Sequence, residues 1–146
     1  MACTVAACAH ERTSDPEQPL IENPAESAKP IAVQILRYLA AGDIEQAAKL
    51  SNAPERRAEV LREFRARVGE EEFKRVYSEY LAPQNLVIAE IALGPRRLVA
   101  WKLGTAGDRV VGQYYVLLDG RFVMDDERSP ARAELTRALE RLRSSR

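Results

Sequence analysis

Residues 86–124 have the sequence LVIAEIALGPRRLVAWKLGTAGDRVVGQYYVLLDGRFVM and determine the architecture that we predict for this chain. Four segments within them are rich in apolar, β-branched and aromatic residues: 86–93, 97–103, 109–118 and 122–124. Glycine, proline and aspartate separate these segments, as is typical of strands joined by short turns. Asp119-Gly120 is the strongest hairpin signal, because a tight primed turn requires positive φ at both residues. The pattern predicts an antiparallel meander of four strands.

Apolar residues recur at helical spacing both before and after this predicted sheet. Serine, aspartate or asparagine precedes most of these segments, and such residues cap helices by accepting backbone hydrogen bonds. The predicted helices begin at Ser27, Asp43, Asn52, Glu70 and Ser129. The sequence therefore predicts an α+β fold, in which several N-terminal helices pack on a four-stranded antiparallel sheet and one more helix follows at the C-terminus.

The chain divides into a polar leader and a single domain. Residues 13–29 contain three prolines among polar and charged residues, a composition that favours a flexible tether over a packed core. We assign residues 1–28 to this leader and residues 29–146 to one α+β domain. The leader holds five of the 22 acidic residues and one of the 22 basic residues, so the domain is mildly basic. It has no run of lysines, and we do not expect it to bind nucleic acid.

The chemistry available to the domain is limited, because the only histidine and both cysteines lie in the first ten residues. The domain lacks the imidazole and thiol groups that serve most hydrolytic, redox and soft-metal chemistry. We therefore expect no metal and no cofactor, and we favour a role without catalysis. The acidic residues Asp125, Asp126 and Glu127 precede the last predicted helix, where acids favour the helix N-terminus, and we expect them to help cap it.

Several aromatic residues with polar tips form the candidate ligand-binding site. If the helices cover the sheet, Tyr80, Trp101 and Tyr115 converge near the amide of Gln113 and line a small apolar pocket with a few polar groups. The alternative is ordinary core packing with the hydroxyls reaching the rim. Glu90, flanked by apolar residues on a predicted strand, is the acid that catalysis inside such a pocket would use.

The tetrapeptide Val5-Ala6-Ala7-Cys8, followed by the polar tether, resembles the lipobox of bacterial lipoproteins. In that class the cysteine is lipidated after signal cleavage, and the linker holds the domain off the membrane. The resemblance implies lipidation at Cys8 and a lipid-anchored location in the bacterial cell envelope, facing the periplasm. The alternative is an alanine-rich tail on a cytoplasmic protein.

Residues 30–124 resemble the nuclear-transport-factor-2-like (cystatin-like) superfamily. The resemblance rests on an early helix, a Gly42-Asp43 break before a helix of small residues, and a late hairpin through Asp119-Gly120. It implies a curved sheet that forms a cone with its helices, and such a cone can hold a ligand, act as an enzyme or bind a partner.

Together these features predict a membrane-tethered, non-enzymatic domain that binds a protein partner or a small ligand. One alternative is a soluble isomerase or lyase that uses carboxylates and tyrosines, with Glu90 inside the cone. The other is an inhibitor or immunity-type protein that occupies another protein's site.

Overall fold

The computed structural model describes residues 26–145, and the candidate lipidation site at Cys8 lies outside them. Five helices form in this range: α1 (Lys29–Ala40), α2 (Ile44–Ala48), α3 (Pro54–Val68), α4 (Glu70–Tyr80) and α5 (Pro130–Ser144). Four strands lie between α4 and α5: β1 (Asn85–Leu93), β2 (Arg96–Leu103), β3 (Arg109–Leu118) and β4 (Arg121–Met124). The predicted α+β class, with helices before the sheet and one after it, is confirmed. None of the helices in residues 26–145 has the length and apolar character to span a membrane.

The four strands pair in chain order, each antiparallel to the next. The turn between β3 and β4 has φ of 49° at Asp119 and 79° at Gly120, as the hairpin signal predicted. β4 is short, and its pairing with β3 ends at Tyr115 opposite Met124. Residues 109–113 of β3 therefore form an edge that no strand of the described chain covers.

The sheet is the middle layer of three, because its two faces pack against different helices. Val99 and Trp101 of β2 face the core formed with α1–α4, whereas Leu98 and Ala100 face α5. This alternation follows from the two-residue period of a strand. The same period sends the adjacent tyrosines of β3 to opposite faces, as predicted, and Tyr115 lies in the core with α1–α4.

Some of the helix caps predicted from the sequence form in the structure, and others do not. The side chain of Asp43 accepts the N–H of Gln46 at the start of α2, and Ser129 caps α5 in the same way, so both predictions are confirmed. The predicted Asn52 cap of α3 is wrong, because Ala53 occupies that position and makes no side-chain cap. The amide of Asn52 is engaged elsewhere, by the acidic residues that follow β4.

Gly112 allows the close approach of α5 to the middle of the sheet. A Cβ atom at this position would lie 2.7 Å from Leu139 Cδ2 and 2.8 Å from Leu98 Cδ1. Both leucines are buried, with exposed fractions of 4% and 0%. Both clashing atoms are ends of side chains, so the two leucines would have to shift within a close-packed core to admit the Cβ atom.

We expect Gly112→Ala to lower the free energy of unfolding by about 1–3 kcal/mol, the usual cost of overpacking. This cost exceeds the gain of up to about 1 kcal/mol from removing a strand glycine. Denaturant unfolding measures the change. In a Leu139→Ala background the same substitution should cost clearly less, and an equal cost in both backgrounds would contradict the role of this contact.

Candidate functional site

A cleft of about 230 Å³ opens where β4 ends and the edge of β3 becomes uncovered. We name it the edge cleft. Its apolar lining comes from α1, α2, α3 and β4: Ile35, Leu39, Ala47, Leu61 and Met124. Its remaining lining comes from polar side chains and from β3: Arg57, Tyr77, Asp125, Arg132, Gly112, Gln113 and Tyr114. Pockets for drug-sized ligands are typically about 300–1,000 Å³, so this cleft suits a smaller molecule.

The amide of Gln113 has a fixed orientation at the boundary between the core and the edge cleft. Its Oε1 accepts the indole N–H of Trp101 at 3.0 Å and the hydroxyl of Tyr115 at 3.0 Å. An indole nitrogen can only donate, so the oxygen of the amide must lie at this end.

The opposite, NH₂ end of Gln113 makes no hydrogen bond with the part of the chain that the structure describes. No side-chain nitrogen or oxygen of those residues is both buried and without a partner. The NH₂ group therefore reaches solvent, and the edge cleft is the opening that Gln113 lines. The result is a hydrogen-bond donor held in place before any ligand arrives.

Burial keeps the Tyr115 hydroxyl in its donating form. The side chain is fully buried, and burial raises the pKa of Tyr115 far above its usual value, against a smaller lowering by Arg57. The hydroxyl is therefore protonated at neutral pH and continues to donate to Gln113.

The structure brings Tyr80, Trp101, Gln113 and Tyr115 together in one cluster, but only Gln113 of the four lines the edge cleft. Tyr80 packs edge-on against Trp101, with ring centroids 6.0 Å apart. Trp101 and Tyr115 are buried in the core with α1–α4, and Gln113 alone of the four lines the edge cleft. The aromatic residues thus follow the core-packing alternative, and their contribution to the cleft is to orient Gln113.

Glu90 has a different role from the one that the enzyme alternative requires. Its carboxylate accepts the hydroxyl of Ser27 at 2.6 Å and the backbone N–H of Ala28 at 2.6 Å. Negative charge is favourable at a helix N-terminus, so Glu90 holds the start of α1 against β1. It is not among the residues that line the edge cleft.

The acids after β4 form a buried network instead of capping α5. Asp125 is 1% exposed, forms an ion pair with Arg96 and accepts the Asn52 amide at 2.9 Å. Asp126 forms a two-pronged ion pair with Arg57 and accepts the hydroxyl of Ser51. The predicted capping role is wrong because the chain leaving β4 runs beside Ser51 and Asn52 of the loop between α2 and α3, and beside Arg57 of α3 and Arg96 of β2, which bind these acids instead.

Backbone hydrogen bonds reinforce the same junction. Met124 N–H donates to the carbonyl of Leu50 at 2.7 Å, and Asn52 N–H donates to the carbonyl of Met124 at 3.0 Å. The loop between α2 and α3 thus lies along the free edge of β4. This junction fixes Arg57 and Asp125 beside the edge cleft.

Four polar residues of the edge cleft were not predicted as site residues from the sequence: Arg57, Tyr77, Asp125 and Arg132. The sequence contained one indication of this site: Asp125 and Asp126 are consecutive acids directly after an apolar strand, a place where charged residues are unusual. Burial raises the pKa of Tyr77, while the nearby Arg57 lowers it by less. The guanidinium of Arg132 lies 4.8 Å above the ring centroid of Tyr114, an attractive cation–π geometry.

Within residues 26–145, no group of three or more histidine, cysteine or acidic side chains is positioned to hold a metal ion. No protein-family model, no curated protein and no solved structure matches this chain.

We expect Asp125→Ala to lower the free energy of unfolding by about 3–5 kcal/mol, because it leaves the partly buried Arg96 without its counter-ion. The neighbouring Glu127 is exposed, and Glu127→Ala is the matched control, with an expected change within about 0.5 kcal/mol. Thermal or denaturant unfolding compares the two variants. Similar small losses in both would show that the Asp125 network does not stabilise the junction.

Proposed function

We propose that this protein binds a small, partly apolar ligand in the edge cleft and that it acts by binding rather than by catalysis. The observation that carries the proposal is the fixed amide of Gln113, a residue that lines the cleft and whose NH₂ group is accessible to solvent and has no partner in the described chain. An apolar lining with a few well-oriented polar groups is the usual composition of a ligand site. A donor that is already oriented loses little entropy on binding.

The edge of β3 favours a small molecule over an extended peptide. Leu117 N–H donates to Pro95, next to β2, so the alternate residues Val110, Gly112 and Tyr114 direct their peptide groups to the open edge. Two of these three carbonyls are already occupied, since Arg143 Nε donates to Val110 at 2.9 Å and Asp125 N–H donates to Tyr114 at 2.8 Å. A peptide strand added here would have to displace both.

The chemistry of the cleft supports binding more than acid–base catalysis. Both carboxylate oxygens of Asp125 are engaged, by Arg96 and by Asn52. Tyr77 has a raised pKa because of burial, so it is neutral near neutral pH and a poor base. The cleft therefore offers hydrogen-bond donors and apolar surface to a ligand, and neither Asp125 nor Tyr77 is a free base.

The proposal includes a membrane tether at Cys8, which rests on the Val5-Ala6-Ala7-Cys8 sequence and the polar linker. The resemblance to the nuclear-transport-factor-2-like superfamily is consistent with a ligand held between helices and sheet. A cleft on a tethered domain would meet its ligand in the cell envelope.

We expect a fragment library of small amphipathic molecules to give binders that shift the Trp101 indole and Gln113 amide resonances in NMR spectra of isotope-labelled protein. Gln113→Glu keeps an acceptor for Trp101 and Tyr115 but replaces the free donor by an acceptor. The substitution should weaken the binding of these molecules by about tenfold or more, because the ligand loses one hydrogen bond and meets an acceptor in place of a donor. The control is Gln84→Glu, the same change at an exposed position before β1. Binders that tolerate Gln113→Glu as well as Gln84→Glu would contradict the proposed site.

The tether has its own test in the native organism. Metabolic labelling with a fatty-acid analogue should modify the protein, and Cys8→Ser should abolish the label and move the protein to the soluble fraction. Cys3→Ser is the matched control and should retain the label. Equal labelling of both variants, or of neither, would contradict lipidation at Cys8.

A further inference from the structure

Three hydrogen-bond donors without partners in the described chain lie in the lining of the edge cleft. The first is the NH₂ group of Gln113, and the second is the hydroxyl of Tyr77. The third is Arg57 Nη1, because Arg57 uses Nε and Nη2 for Asp126. Arg57 and Tyr77 are close enough for the arginine charge to act on the tyrosine hydroxyl.

Matching acceptors are scarce among the side chains of this lining. Asp125 is the acidic residue that lines the cleft, and its two carboxylate oxygens already accept hydrogen bonds from Arg96 and Asn52. A ligand that satisfies the three donors must therefore supply acceptor oxygens itself. A planar group with two oxygens meets an arginine and an amide with good geometry.

The charge balance at the cleft favours an anion. Asp126 compensates Arg57, and Asp125 compensates Arg96. Arg132 also lines the cleft, but it forms no ion pair with a residue in the described range and instead lies over the ring of Tyr114. The lining of the cleft therefore includes one arginine that no acid of the described chain pairs.

The other wall limits the rest of the ligand. Ile35, Leu39 and Leu61 contribute aliphatic side chains from α1 and α3, and the cleft volume is about 230 Å³. The body of the ligand must be apolar and small, because a polar body would lose hydration against this wall without new hydrogen bonds.

From these observations we infer that the ligand class is a small monocarboxylate with an apolar body. The carboxylate accepts from Gln113, Tyr77 and Arg57, and Arg132 attracts the negative charge. The apolar body packs against α1 and α3. This inference rests on the proposed function, and it adds the chemical class of the ligand.

The test uses three probes with one carbon skeleton: hexanoate, hexanamide and hexanol. Titration of the whole protein, followed by NMR, should show hexanoate binding at least about tenfold more tightly than either neutral probe, since hydrogen bonds to a charged group are roughly twice as strong. Raising the salt concentration should weaken hexanoate binding and leave hexanol binding unchanged.

Two variants examine the assigned groups. Arg132→Gln should weaken hexanoate about five- to tenfold without changing hexanol, whereas Arg137→Gln, an exposed position on α5 outside the cleft lining, should change neither. Tyr77→Phe should weaken hexanoate about threefold or more by removing one donor.

Each result is decisive. If all three probes bind equally at the edge cleft, the carboxylate inference is overturned and the proposed function stands. If none of them shifts the Trp101 and Gln113 resonances, both are overturned. If hexanoate binds best but Arg132→Gln and Arg137→Gln behave alike, the role of Arg132 is overturned.

Discussion

The ion-pair network of Asp125 and Asp126 is the interaction on which the candidate site depends. The two carboxylates hold the end of β4 against Asn52 in the loop between α2 and α3, Arg57 of α3 and Arg96 of β2. Buried charges are tolerated only when paired and hydrogen-bonded, so this junction has few alternative arrangements. After Asp125, whose N–H still donates to the Tyr114 carbonyl, the chain no longer follows β3, and the cleft lies beside this point.

The amide of Gln113 is a second polar group that fixes the geometry of the candidate site, here from inside the core. Gln113 lies between the aromatic cluster and the edge cleft, and its oxygen satisfies two donors that would otherwise be buried without partners. An unsatisfied buried donor costs about 1–3 kcal/mol, so the amide cannot flip without penalty. The hydrogen bonds that satisfy Trp101 and Tyr115 therefore also determine that a ligand meets the NH₂ end of the amide and not its oxygen.

Much of the architecture could be predicted from the sequence because its signals are local. The apolar segments marked all four strands to within one residue at each end, and Asp119-Gly120 marked the hairpin. The aromatic cluster was also predictable, since Trp101 and Tyr115 lie at strand positions that share one face.

The candidate site was less predictable because its contacts join distant parts of the chain. Asn52 precedes a helix and has the side chain of a cap, but the acids of residues 125 and 126 lie more than 70 residues away and bind its amide instead. A side chain that can cap a helix can equally well serve another partner. Glu90 was misjudged for the same reason, because its partners at Ser27 and Ala28 are about 60 residues away in the chain.

The shortness of β4 has a consequence for how such a domain could diversify. β4 has four residues and β3 has ten. Each further residue pair between them would cover about 3.3 Å more of the β3 edge. The dimensions of the cleft are therefore set by the length of a hairpin arm as well as by the side chains that line it. Insertions of two residues in β4 would keep the alternation of its side chains and narrow the cavity stepwise, whereas a one-residue insertion would turn Phe122 out of the core.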